Sequence, residues 1–68
     1  MVKFSEIKQV EVHGGDGWMW DYISHATVND KPAGSIHASS RESCQEQIDY
    51  AMANPDEYIS WAMRSGNL

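Results

Sequence analysis

Apolar and polar residues alternate through the first half of this chain and change to a helical period in the second. Between Phe4 and His13, Val10 and Val12 alternate with Glu11 and His13, and Phe4 shares the parity of the valines. That pattern predicts a strand. Gly14-Gly15-Asp16-Gly17 follows, where glycines permit positive φ and Asp-Gly favours a hairpin. Trp18 to Val28 predicts a second, longer strand. Trp18, Trp20, Tyr22, Ala26 and Val28 take its even positions, and Met19, Asp21, Ile23, His25 and Thr27 its odd ones. Asn29-Asp30-Lys31-Pro32 predicts a turn. Ala33 to Ala38 predicts a short edge strand in which Gly34, Ile36 and Ala38 share a parity.

Register follows from the two turns. With Gly15-Asp16-Gly17 as the first loop, Val12 faces Trp20 and Val10 faces Tyr22. With Asn29 to Ala33 as the second, Ala26 faces Ile36 and Ser24 faces Ala38. Both choices send Val10, Val12, Trp20, Tyr22, Ala26 and Ile36 to one face, and a one-residue slip would undo this.

The cover for that face is expected from Ser39 to Ala53. Ser39 and Glu42 have capping-box spacing, and Cys44, Ile48, Ala51 and Met52 form one helical stripe. A second helix is predicted after Asn54, with Asn54 as cap, Pro55 at its first position and Glu57 completing a capping box. Tyr58, Ile59, Trp61, Ala62 and Met63 supply its apolar side, and Gly66 its stop. Asn54 precedes proline, which bends the chain between the helices. The expected fold is α+β, a single domain: a three-stranded antiparallel meander packed on one face by an amphipathic helix, then a short C-terminal helix. The order strand, strand, strand, helix, with Gly34 and then Ser39-Ser40-Arg41 opening the helix, resembles the second part of a double-stranded-RNA-binding domain. The leading helix of that family is missing and its lysine-rich helix start is replaced by Arg41-Glu42, so the resemblance implies shape alone.

Composition narrows the function. Sixty-eight residues make a thin domain, since a chain of this size buries only about 60% of its unfolded surface. Cys44 is the lone cysteine, so no internal disulfide helps. Its place on the apolar stripe makes it core packing, and one thiol fits a reducing compartment. No stretch has the length of a membrane span and no signal peptide is read, so a cytoplasmic protein is expected. The net charge is -5, and Lys3, Lys8, Lys31, Arg41 and Arg64 are scattered. Phosphate-backbone binding needs a basic stripe, so direct nucleic-acid binding is not expected.

Few residues promise chemistry. The glycine-rich turn lacks the lysine and the Ser/Thr of a phosphate loop. No serine sits in an elbow motif, and an enzyme is not expected. His13, His25 and His37 are predicted on the odd face, with His25 nearly opposite His37. Those two are the candidates a metal would use, but without ligands at short spacing neither metal nor cofactor is expected. Glu11 and Asp21 are placed across from one another on the same face. Trp18, Trp20 and Tyr22 read as core before they read as a stacking platform, with Trp18 the most exposed. Tyr50, Tyr58 and Trp61 are candidate interface anchors.

The expected function is a small acidic protein-binding module, a modulator, inhibitor or adaptor of a larger assembly. Its contact residues would come from Glu42, Glu46, Asp49, Tyr50, Tyr58, Trp61, Glu11 and Asp21, against a partner with a basic surface. In its most specific form Glu42, Glu46, Asp49, Asp56 and Glu57 mimic the phosphates of DNA. A phage or mobile-element source is a guess that size and charge invite. The alternatives are a homodimeric structural protein and a metal-binding module using His25 and His37.

Overall fold

A computed structural model describes residues 1–15 and 17–68, with Trp18 described by its backbone alone. The chain forms strands β1 (Val2–Phe4), β2 (Lys8–Gly14), β3 (Gly17–Val28) and β4 (Lys31–Ala38), then helices α1 (Arg41–Ala53) and α2 (Pro55–Arg64). This is the expected α+β order, with four strands where three were predicted. β1 and β2 lie along one edge of β3, and β4 pairs with the other.

The extra strand comes from a bulge. Phe4 pairs with Ala26 and Lys8 with Ile23, so residues 5–7 stand opposite only residues 24 and 25. The surplus residue breaks the ladder and reverses the faces beyond it. Ser5 closes the gap. Its N–H donates to the His25 carbonyl at 2.8 Å, its Oγ accepts from the His25 N–H at 2.9 Å, and its carbonyl accepts from Ser24 Oγ at 2.7 Å. Ser24 is fully buried by this arrangement.

The first hairpin corrects the predicted register by one residue. Gly14 pairs with Gly17, Val12 with Met19, Glu11 with Trp20 and Val10 with Asp21. Cross-strand partners share a face, so Val10 and Val12 point away from the helices, while Gln9, Glu11 and His13 share the face of Trp20 and Tyr22. The expectation that Val10 and Val12 join the core is therefore overturned. All of β2 is exposed, and with Gly17 to Trp20 it forms a ribbon that no helix covers. Asp16, which the loop reading used, and the predicted exposure of the Trp18 side chain lie outside the described residues.

The second hairpin keeps its predicted faces through two deviations. Asn29 and Asp30 both have positive φ (51° and 67°) and form a two-residue turn, so β4 begins at Lys31. A second bulge then puts Ala33 and Gly34 opposite Ala26, with Gly34 at φ 86°. Beyond it Ser24 pairs with Ile36 and Tyr22 with Ala38. The register moves by two places, and an even shift leaves every side chain on its face. Pro32 sits in β4 at the sheet's edge, where a missing donor costs least.

The core joins Val2, Ala26, Val28, Ala33 and Ile36 of the sheet to Cys44, Ile48, Ala51, Tyr58 and Ala62 of the helices. Three of the four residues in the predicted α1 stripe are buried. Met52 is half exposed, at the border of the stripe. Ser40, not Ser39, caps α1: its Oγ accepts from the Ser43 N–H at 3.1 Å. Asn54 makes no side-chain cap on α2. Its amide instead donates to the Tyr50 carbonyl at 2.9 Å and closes α1. Helix α2 ends as predicted. Gly66 at φ 77° donates to the Met63 carbonyl and Asn67 to that of Ala62, which is the Schellman pattern.

Candidate functional site

Two helices meeting beside the edge of a sheet leave a cleft of about 520 Å³. Its walls are Ser35 and Ile36 of β4, Glu46, Gln47, Tyr50 and Ala51 of α1, Asn54 at the bend, and Glu57, Tyr58 and Trp61 of α2. The bend places the aromatics. Proline after Asn54 restarts the helix at an angle, so Tyr50 from the end of α1 faces the opening turns of α2. Tyr50 Oη donates to Glu57 Oε2 at 2.9 Å across this corner. That bond, with the carboxylate's charge, holds the Tyr50 hydroxyl above its ordinary pKa.

Tyr58 forms the floor. Its hydroxyl donates to the Ala33 carbonyl at 2.8 Å, and burial pushes its pKa up. Phe4 meets its ring edge-on at a centroid distance of 5.3 Å, and Trp61 lies tilted against it at the same distance. Trp61 in turn covers Gly34, where an added Cβ would sit 3.3 Å from the indole and from Asn67. The result is an aromatic surface with two carboxylates and no basic side chain in its lining. Aromatic faces and carboxylates both favour a cation.

Of the predicted contact residues, Glu46, Tyr50, Tyr58 and Trp61 are brought together here, joined by Glu57. Glu42 lines a second cleft of about 530 Å³ with Phe4, Ile7 and Arg41. There Arg41 stacks 5.6 Å over the Tyr22 ring and reaches the Ile7 carbonyl. Asp49 stands on the open side of α1, accepting from Gln45 Nε2 at 2.8 Å.

Glu11 and Asp21 are not across from one another. The one-residue register change puts them on opposite faces, with Glu11 3.5 Å from His13 Nε2 and Asp21 2.8 Å from His37 Nδ1. His25 is not opposite His37 either. Ser35 faces His25, and Ile23 faces His37, because β4 pairs two places from its predicted register. Among the described residues no group of three or more His, Cys, Asp or Glu is placed to hold a metal.

The sequence reading missed Ser35. Ser35 Oγ lies 2.9 Å from His37 Nε2, and Asp21 holds the other ring nitrogen. The signal was the Ser-x-His spacing, which puts both side chains on one face of a strand. Asp21 joins them only once the register is known.

Compared with known protein families, curated proteins and solved structures, the chain matches none. Its class rests on architecture: an α+β fold with an antiparallel sheet followed by two helices. Among the described residues no helix is long and apolar enough to cross a membrane.

Proposed function

We propose that this protein is a binding module whose cleft between α1, α2 and β4 takes a basic, partly apolar segment of a larger protein, as a modulator or adaptor of that assembly. One observation carries this reading: Tyr50, Tyr58 and Trp61 line a concave surface bordered by Glu46 and Glu57, with no cation of its own. A lysine or arginine side chain fits such a surface. Its aliphatic stem packs on the aromatics while its head meets the carboxylates. The net charge of -5 favours encounter with a basic surface.

Affinity capture from the source organism tests this, comparing the wild type with Trp61→Ala, Glu57→Gln and, as a control on the ribbon, Val12→Glu. A partner retained by Val12→Glu, lost with Trp61→Ala and released by moderate salt supports the reading. A partner that ignores both cleft changes refutes it. Steep salt dependence that tracks Glu42, Asp49 and Asp56, with Trp61 indifferent, would favour phosphate mimicry instead.

A second reading, self-association, is favoured by the ribbon. Val10, Val12 and Met19 are exposed on one of its faces, and the outer edge of β2 has no partner strand. Lys8 and Glu11 cancel on β2, so two copies can pair by this edge without like-charge conflict on the strand itself. Sedimentation at micromolar concentration decides: a dimer abolished by Val12→Glu supports it, and a persistent monomer removes it.

A further inference from the structure

Beyond binding, we infer that Ser35 is a nucleophile able to take an acyl group from activated esters, with His37 as its base and Asp21 as the positioning residue. Ser35 Oγ is 2.9 Å from His37 Nε2, and Asp21 Oδ2 is 2.8 Å from His37 Nδ1. A carboxylate can only accept, so in the neutral ring Nδ1 carries the proton and Nε2 is left to accept from the serine hydroxyl. These are the roles that define a Ser-His-Asp relay, which is recognised by geometry and not by order in the chain.

The three side chains come from two strands whose pairing fixes them. Ser35 and His37 alternate on β4, and Asp21 lies diagonally across on β3, whose Tyr22 pairs with Ala38. Asp21 is the most enclosed of the ion pair, with 24% of its side chain accessible against 54% for His37, so the orienting carboxylate is sheltered while the base meets solvent. Ser35 is half-buried and borders the aromatic cleft.

In the step itself Oγ bonds to the acyl carbon as its proton passes to His37 Nε2. The bond from acyl carbon to leaving oxygen then breaks, and the departing phenolate takes that proton. The products are acyl-Ser35 and a phenol. Water attacking the acyl-serine, with His37 again as base, would return free Ser35 and a carboxylic acid. The oxyanion formed on this open face is met by water. That confines the reaction to acyl donors with good leaving groups, aryl esters among them.

The test is incubation of the folded protein with p-nitrophenyl acetate, followed by peptide mass mapping of each serine over time. Ser35 should gain an acetyl group about a hundredfold faster than exposed Ser39, the low end of what a positioned base contributes. His37→Ala should bring Ser35 down to the Ser39 rate, and Asp21→Asn should lower it while circular dichroism stays unchanged. Equal rates at Ser35 and Ser39 in the wild type, or a Ser35 rate indifferent to His37→Ala, would overturn the inference. Either failure leaves the cleft reading intact, because Tyr50, Trp61 and Glu57 take no part in the reaction.

Discussion

Gly34 and Tyr58 show how much of this small fold depends on single atoms. Gly34 adopts a φ of 86° in a bulge and lies under the Trp61 indole. A Cβ there meets both a backbone penalty and a neighbour that must shift. Gly34→Ala should cost about 1–2 kcal/mol, the price of a left-handed conformation for an L residue, read as a lower urea midpoint. Titration gives a second test. Burial pushes the Cys44 thiol up from its ordinary 9.0, with the Asp21 charge adding and Arg41 opposing, and burial pushes Tyr58 up from 10.0. Both groups keep their protons longer in the folded chain than in the unfolded one. Their stabilisation is therefore complete below the unfolded values and is lost as pH rises through the folded ones. The urea midpoint should be level through neutral pH and fall above about 9, with a shallower fall in Cys44→Ala. A midpoint that climbs with alkali would contradict this.

Among the elements, α1 separates two caps that the sequence alone could not tell apart. Ser39 and Ser40 precede the same helix, but only Ser40 has its hydroxyl on a free N–H. Ser40→Ala should destabilise by about 1 kcal/mol, while Ser39→Ala should leave the thermal midpoint where it was. The strands teach a related lesson. Alternation in Trp18–Val28 and the stripe of Cys44, Ile48 and Ala51 were legible because burial enforces a period. Loop length was not, because Gly14-Gly15-Asp16-Gly17 accepts a bend of two residues as readily as three. That single residue displaced Val10 and Val12, and the bulge at Ser5 absorbed it before Val2 and Phe4, which stay in the core region. At the second turn the error was even, so Ile36 and Ala38 kept their faces. The cleft's aromatics were legible as anchors from residue type. Their convergence with Glu46 and Glu57 was not, since it depends on the angle that Asn54-Pro55 sets between the helices.

Across the whole molecule, stability is unevenly distributed. The core lies between the helices and the β1, β3 and β4 part of the sheet, while the β2 ribbon rests on β3 alone. A two-stranded ribbon is marginal in water without a covered face. Amides of Gln9 to His13 should therefore exchange with deuterium well ahead of those of Ser24 to Val28, which require opening of the core. Equal protection in the two regions would mean that something covers the ribbon.

The uncovered ribbon also lacks a lock on its alignment. A strand pressed under a helix cannot slide without dragging grease into water, but here only the bend at Gly15 keeps the two chains in step. One notch of travel would trade Val10 and Val12 for Gln9, Glu11 and His13 on either side. Whatever grips this tongue thus also chooses which of its two textures is presented.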